Sequence, residues 1–256
     1  MKKYFMFVVL LVSVLAVQLV NAQSVTITTN PFPATICAGQ GTNVSLTANP
    51  VGGIVIGYVW SNGGLTQAIN VSPLATTTYT VTVTFMGGIL ANANQTVTVL
   101  PAPNPTITAG GSTNICAGNS VLLTSSVADT YQWYLNGSVI PGATNVNYSA
   151  SATGSYQVYV TVGTCSGMSA ATVVTVNPLP VANVTPAGPL TTCWGTPIVL
   201  TAQAGTGYSY QWQMSPTGNA PWNNVIGETN QTISISVTGY YRVQVTDGNS
   251  CINYSN

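Results

Sequence analysis

The sequence predicts an all-β protein built from three small β-sandwiches in tandem behind an N-terminal export signal, and three observations carry that reading. One pattern is written three times: a Cys-x-Gly, an alternating apolar strand, a Tyr-x-Trp, and a Tyr that opens a second alternating run. The copies start at Cys37, Cys116 and Cys193, in steps of 79 and 77 residues, which is the size of a small sandwich and too long for a solenoid unit. Apolar residues make up 46% of the chain yet fall in short period-two runs, and no segment sustains helical periodicity. Proline-rich joints lie where the copies meet.

Taken in order, the first element is the export signal, residues 1–22. Lys2 and Lys3 precede an apolar stretch from Phe5 to Val17, and Val20-Asn21-Ala22 offers short residues for cleavage before Gln23. A membrane anchor is the competing reading, but Gln18 and Asn21 interrupt the stretch short of the ~20 apolar residues a span needs. The protein is therefore expected to be secreted, in the extracellular space or at a cell surface. The three sandwiches follow at 23–100, 106–176 and 181–256. Their joints, 101–105 and 177–180, are the Pro101-Ala102-Pro103-Asn104-Pro105 and Asn177-Pro178-Leu179-Pro180 segments, whose closely spaced prolines favour a stiff extended backbone.

Inside each copy, alternation marks the strands. Val44, Leu46 and Ala48 share one face in the first, Val121 and Leu123 in the second, and Ile198 and Leu200 in the third. In Tyr58-Val59-Trp60, Tyr131-Gln132-Trp133 and Tyr210-Gln211-Trp212 the two aromatics lie two residues apart, so one strand face lays Trp60, Trp133 or Trp212 into a core. Runs opening at Tyr79, Tyr156 and Tyr241 supply the next strand. The second copy continues after Cys165 through an alternating stretch, Ala170 to Val176, that closes its sandwich. After Cys251 only Ile252 to Asn256 remain, so the third copy is expected to be incomplete and the sequence a fragment of a longer protein.

Composition excludes whole function classes. Beyond the signal, Arg242 stands against Asp129, Glu228 and Asp247, one minus three, or −2. A chain with no basic patch cannot neutralise phosphates, which sets nucleic acid aside as a partner. Solubility rests on Thr, Ser, Asn and Gln, which leaves strand edges sticky. With no His and no Lys after the signal there is no serine triad, Schiff-base lysine or His-bound metal, and a lone Arg is no general base. Glu228 and Asp247 are the remaining pair for acid chemistry or weak calcium binding. Ordinary loop acids are the preferred reading, with Asp247-Gly248-Asn249 a turn. No enzyme activity, cofactor or metal site is expected.

The Ile36-Cys37-Ala38-Gly39 and Ile115-Cys116-Ala117-Gly118 motifs, the Tyr-x-Trp strands, Gly154-Ser155-Tyr156 and Gly239-Tyr240-Tyr241 resemble the immunoglobulin-like and PKD-like repeats of large secreted surface proteins of gliding bacteria of the Bacteroidetes group, many exported by a type IX system. The resemblance covers the whole chain after the signal and implies a fold more than an activity. By it, Tyr79, Tyr156 and Tyr241 are similar to the tyrosine corner of immunoglobulin sandwiches, whose hydroxyl pins a crossing loop. An immunoglobulin domain of the antibody kind places its second Cys two residues after that Tyr, whereas Cys165 and Cys251 come nine and ten later.

Export permits disulfides, and the expected pairs are Cys116 with Cys165 and Cys193 with Cys251. Topology objects: if the first Cys lies in the turn before the second strand, the two sulfurs of a pair sit at opposite ends of one sandwich. Either the first Cys occupies an earlier strand or the pairing is wrong. Cys37 has no counterpart, since Met86-Gly87-Gly88-Ile89 stands where a second Cys would, and is expected as a buried unpaired thiol, with an intermolecular bridge as the alternative. Trp194 and Trp222 lie outside the repeated strands. They are the candidates for stacking on a sugar ring, with core or interface packing the preferred role.

The expected function is a non-catalytic extracellular stalk or adhesive segment of a larger surface or secreted protein, with other protein domains or surface polysaccharide as partners. Two alternatives stand beside it: a carbohydrate-binding or spacer region of a secreted polysaccharide-active enzyme, and a self-associating fibre subunit completed by a donated strand.

Overall fold

The computed structural model describes residues 22–256, apart from Thr192 and Trp194. The export signal, up to residue 21, and the stacking candidate Trp194 thus lie outside the described residues. Every regular element among them is a strand. The chain forms two compact units, one up to Ala102 and one from Pro103 to Asn256.

The first unit holds one sandwich, made of β1 (Ser24–Asn30), β2 (Thr35–Cys37), β3 (Val44–Val51), β4 (Val55–Trp60), β5 (Ala68–Val71), β6 (Thr77–Phe85) and β7 (Leu90–Leu100). One sheet runs β1-β3-β5 and the other β2-β7-β6-β4, all antiparallel except β2 beside β7. Alternation decides what fills the space between them. Val44, Leu46 and Ala48 from β3 meet Trp60, Val81, Val83 and Phe85, all buried. Gly87 and Gly88 turn the β6–β7 hairpin at φ of 91° and 78°, a region that favours glycine, which explains the Gly-Gly at the place where the other copies carry a Cys.

The second unit holds two sandwiches. Its first comprises β8 (Ile107–Ala109), β9 (Asn114–Cys116), β10 (Val121–Ser125), β11 (Thr130–Leu135), β12 (Ser138–Val139), β13 (Asn147–Ala150), β14 (Gly154–Val162), β15 (Cys165–Met168) and β16 (Thr172–Asn177). A β13-β10-β8 sheet faces a sheet of order β12-β11-β14-β16-β9. The closing strand is split: β15 pairs with the C-terminal half of β14, and β16 pairs with its N-terminal half and then runs parallel to β9. Buried Ser169 sits at the break. Its Oγ accepts the Val158 amide at 3.0 Å while its own amide donates to the Val158 carbonyl at 2.9 Å.

The other sandwich comprises β17 (Val184–Thr185), β18 (Ile198–Ala202), β19 (Ser209–Ser215), β20 (Asn223–Asn224), β21 (Thr232–Ile235), β22 (Tyr240–Thr246) and β23 (Ile252–Tyr254), in sheets β17-β18-β21 and β20-β19-β22-β23. Buried Ser255 repeats the role of Ser169 against Val243. The three sandwiches are immunoglobulin-like: a small sheet packs on a larger one whose centre is the Trp strand paired with the Tyr strand.

Candidate functional site

The chemistry of this chain concentrates where the two sandwiches of the second unit meet. Cys116, the last residue of β9, is disulfide-bonded to Cys251, which leads into β23 of the following sandwich, with 5.5 Å between the two Cα atoms. This corrects both expected pairs. Cys116 lies opposite Asn177, beyond the level at which Val174 faces Gly154 at the start of β14, whereas Cys165 faces Val162 at its end. At about 3.3 Å per residue the strand β14 alone puts roughly 25 Å between them, against the 7 Å limit on Cα separation that a disulfide tolerates. Cys116 does occupy an earlier strand, β9, and the expected pairing fails all the same. Cys193 is not the partner of Cys251 and lies exposed. Cys37 is also corrected: expected as an unpaired thiol, it is a buried half-cystine, and so is Cys165. For Cys116 and Cys251 the expectation failed because it looked for a partner only within one sandwich.

Both half-cystines of the junction are held by the segment that joins the sandwiches. On the Cys116 side, the Ala117 amide donates to the Asn177 carbonyl at 2.8 Å, and Asn177 Nδ2 donates to the Ile115 carbonyl at 3.3 Å. On the Cys251 side, Asn253 Nδ2 donates to the Pro180 carbonyl at 2.8 Å. Asp247 places Cys251 itself: its Oδ1 accepts the amides of Asn249 and Cys251, each at 2.9 Å. That carboxylate, one of the two considered for acid chemistry, holds a hairpin. Glu228 takes part through its backbone, its carbonyl accepting the Trp212 amide at 3.0 Å. Among the described residues no cluster of three His, Cys, Asp or Glu side chains is placed to hold a metal ion.

The repeated aromatics occupy the cores. Trp60, Trp133 and Trp212 are fully buried, and each indole Nε1 donates to a backbone carbonyl of the segment leading into β5, β13 or β21: Thr66 at 2.8 Å, Asn145 at 2.8 Å and Asn230 at 2.9 Å. Tyr156 donates its hydroxyl to the Ala152 carbonyl at 2.9 Å, and Tyr241 to the Val237 carbonyl at 3.1 Å, four residues back in both cases. Burial pushes both phenols above the ordinary value. At Tyr156 the Ala152 hydrogen bond opposes that shift and nearby Tyr148 adds to it. Tyr79 is buried in the first core.

Trp222, the other stacking candidate, is half-buried and already has a partner. The Arg242 guanidinium carbon lies 4.4 Å from the centroid of its ring and 4.4 Å from that of Tyr254, and Arg242 Nε donates to Gln213 Oε1 at 2.7 Å. Gln213 Nε2 in turn donates to Asn224 Oδ1 at 2.9 Å. One strip of the β20-β19-β22-β23 sheet thus carries two aromatic rings, two amides and a guanidinium. Sequence reasoning dismissed Arg242 as a failed base and missed this stack. It also missed Ser169 and Ser255, although a Cys-x-x-x-Ser spacing marks both.

A family model described as a domain of unknown function (DUF8696) matches residues 182–256. No curated protein matches the chain in sequence. Among solved structures the chain is similar to a bacterial 1.5-MDa ice-binding adhesin at 16% identity and a TM-score of 0.36, covering 91% of this chain and 95% of that one. It is similar to the N-terminal eight immunoglobulin domains of Down syndrome cell adhesion molecule at 14% identity and a TM-score of 0.32, covering 91% of this chain and 34% of that one. For murine CEACAM1b the values are 13% and 0.31, with 60% of this chain and all of that one covered.

Proposed function

We propose that this chain is a non-catalytic extracellular segment, structural and adhesive, of a larger surface or secreted protein. The observation that carries the reading is the Cys116–Cys251 bond, which ties one sandwich covalently to the next across their joint. A bond of that kind forms in an oxidising compartment, and it fixes the placement of two modules, which a spacer or presenting arm needs and a catalytic cleft does not. No helix among the described residues is long and apolar enough to cross a membrane. Export by a type IX system, implied by the resemblance to gliding-bacterial repeats, belongs to the same reading. The test is antibody labelling of intact cells of the source organism, with attachment under flow measured for a strain lacking the gene. Surface label and weakened attachment are expected; label only after lysis, with attachment unchanged, would overturn the proposal.

Two observations favour narrower readings. The Trp222, Tyr254 and amide strip suits a neutral polysaccharide, because rings stack on pyranose faces while amides meet hydroxyls. A pull-down on insoluble glycans that Trp222→Ala abolishes would support it, and unchanged retention would remove the strip as the platform. Tyr240 to Arg242 pair with β19 on one side, whereas β23 pairs with β22 only from Gln244 on. That open edge suits a strand donated by a second copy. Sedimentation velocity across a wide concentration range reads it out, and a single monomeric species throughout would exclude it.

A further inference from the structure

We infer that Gln23 is a modification site: once the export signal is cut off before it, its α-amine closes on its own side-chain carboxamide, and the mature chain begins with a neutral pyroglutamyl ring. The inference rests on the export reading proposed above and goes beyond it. Cleavage after the short residues Val20 and Ala22 makes a glutamine the new N-terminus. Strand β1 opens at the very next residue, Ser24, opposite Val51. Gln23 therefore stands at the edge of the first sandwich with no tail before it, just outside the strand ladder.

The Gln23 carboxamide lies over Gly53, in the β3–β4 turn, beside the Phe85 ring. A Cβ on Gly53 would come within 2.5 Å of Gln23 Nε2 and 2.9 Å of Phe85 Cδ1, so only a residue without a side chain leaves room for the amide there. Gln23 Oε1 is buried and accepts no hydrogen bond among the described residues. That oxygen thus does not hold the carboxamide in its seat, and a buried acceptor left unpaired favours a rearrangement that returns it to water. Ring closure is such a rearrangement, because it draws Cδ back to the α-nitrogen. It leaves the pairing of β1 with β3, which runs from Ser24 to Asn30, untouched.

The distribution of charge points the same way. Residues 23–102 hold no Asp, Glu, Lys or Arg. Around this end of the sandwich Val51, Ile54 and Met86 are exposed aliphatics, with Val51 opposite Ser24 and the Met86 amide bonded to the Ile54 carbonyl. Cleavage places an ammonium there with no carboxylate in the unit to hold it protonated. An α-amine titrates at about 7.7–8.0, so part of it is neutral at neutral pH, and the neutral form is the nucleophile. Its lone pair attacks Cδ, the N–Cδ bond forms, the Cδ–Nε2 bond breaks, and Nε2 carries one amine proton away as ammonia. The product is a five-membered lactam; nothing is oxidised and no water is consumed. The first unit then has no charged terminus, and an aminopeptidase, which needs a free α-amine, has nothing to grip.

The experiment maps the N-terminal peptide of the full chain as secreted by cells of the source organism, by mass spectrometry and by Edman degradation before and after treatment with pyroglutamyl aminopeptidase. The expected peptide begins at Gln23, is lighter than the unmodified sequence by one ammonia, resists Edman degradation, and reads from Ser24 once the ring is removed. An isotope-labelled synthetic peptide covering Gln23 to Asn30, carried through the same work-up, should keep its free amine. Closure of the labelled peptide to the same extent would assign the ring to handling and overturn the inference. A secreted chain that begins with an unmodified Gln23, or at another residue beyond the signal, overturns the inference and leaves export standing. A chain that keeps residues 1–22 and stays inside the cell overturns the export reading, and the inference with it.

Discussion

The two sandwiches of the second unit are copies of one design, and they differ most where the Tyr strand begins. In the earlier copy β16 lies along the start of β14 and puts Val174 fully into the core; Tyr156 beneath it is only 1% exposed. In the later copy β23 pairs with β22 from Gln244 to Thr246, and Tyr241, Ile198 and Ile235 are partly buried where Tyr156, Val121 and Ala150 are buried. The cores differ as well. Tyr148 links Trp133 to Tyr156 in a tilted aromatic chain with centroids 5.8 and 5.7 Å apart, whereas the residue at its register in the later copy is Ile233. The difference teaches that the Trp strand paired with the Tyr strand is the shared part of the design, while the third aromatic and the residues around it vary between copies.

The strongest way to break the comparison is to remove the shared anchor. Trp133→Ala and Trp212→Ala should each cost about 3–5 kcal/mol, with Trp133→Ala the worse because it also strips the Tyr148 ring of its neighbour. Urea unfolding of the two variants, followed by the fluorescence of the remaining tryptophans, reads the difference, and equal losses would deny the aromatic chain any weight.

A sharper contrast lies where β15 and β23 meet the preceding joint. Gly167 and Asn253 each stand two residues after a half-cystine, and each faces a joint proline, but by opposite means. A Cβ at Gly167 would overlap the Pro103 carbonyl oxygen, whereas Asn253 reaches out to hydrogen-bond the Pro180 carbonyl. Gly167→Ala should therefore cost about 1–3 kcal/mol through overpacking against a backbone that cannot yield. Asn253→Ala should cost about 1 kcal/mol for one lost hydrogen bond. Thermal unfolding of both variants checks the order.

Ser169 and Ser255 should behave alike, which tests the claim of one design. Replacing either by Ala leaves a buried strand amide, that of Val158 or Val243, without its hydroxyl acceptor, at about 1–3 kcal/mol. Hydrogen exchange should speed up at that amide in both variants. A change in only one would show that the break in the closing strand is not equivalent.

The smallest effect separates the two tyrosines. Both phenols are raised above the unfolded value of 10.0 by burial, so the neutral form is favoured in the folded chain. Their contribution to stability is complete below pH 10 and is lost as pH rises through the folded values. Tyr156→Phe and Tyr241→Phe should each flatten that alkaline loss, while costing about 1 kcal/mol near neutrality for the corner hydrogen bond. Urea midpoints between about pH 9 and 12 measure it; a slope unchanged in both variants would exclude these groups as its source.

Local patterning made much of this legible in advance. Period-two alternation places Val44, Leu46 and Ala48 in one core and Trp133 in another, because side-chain direction in a strand follows sequence parity alone. The cysteine partners were not legible, because parity says nothing about which end of a strand meets the next sandwich. Spacing suggested a bond inside the second and the third copy; the length of β14 rules out the first of these, and the bond of Cys251 to Cys116 the other. Arg242 escaped for a different reason: its neighbours Trp222 and Tyr254 come from a loop and an edge strand on either side of β22, which no period along the chain brings together.

That guanidinium has a consequence for how the chain survives among proteases. Apart from Lys2 and Lys3, Arg242 is the only basic residue in the sequence, so a trypsin-like enzyme has one bond to cut beyond the N-terminus, Arg242–Val243. The bond lies within a paired strand, and the side chain such an enzyme must seize is stacked between two rings. Even a successful nick would free nothing, since Cys251 on one fragment stays bonded to Cys116 on the other.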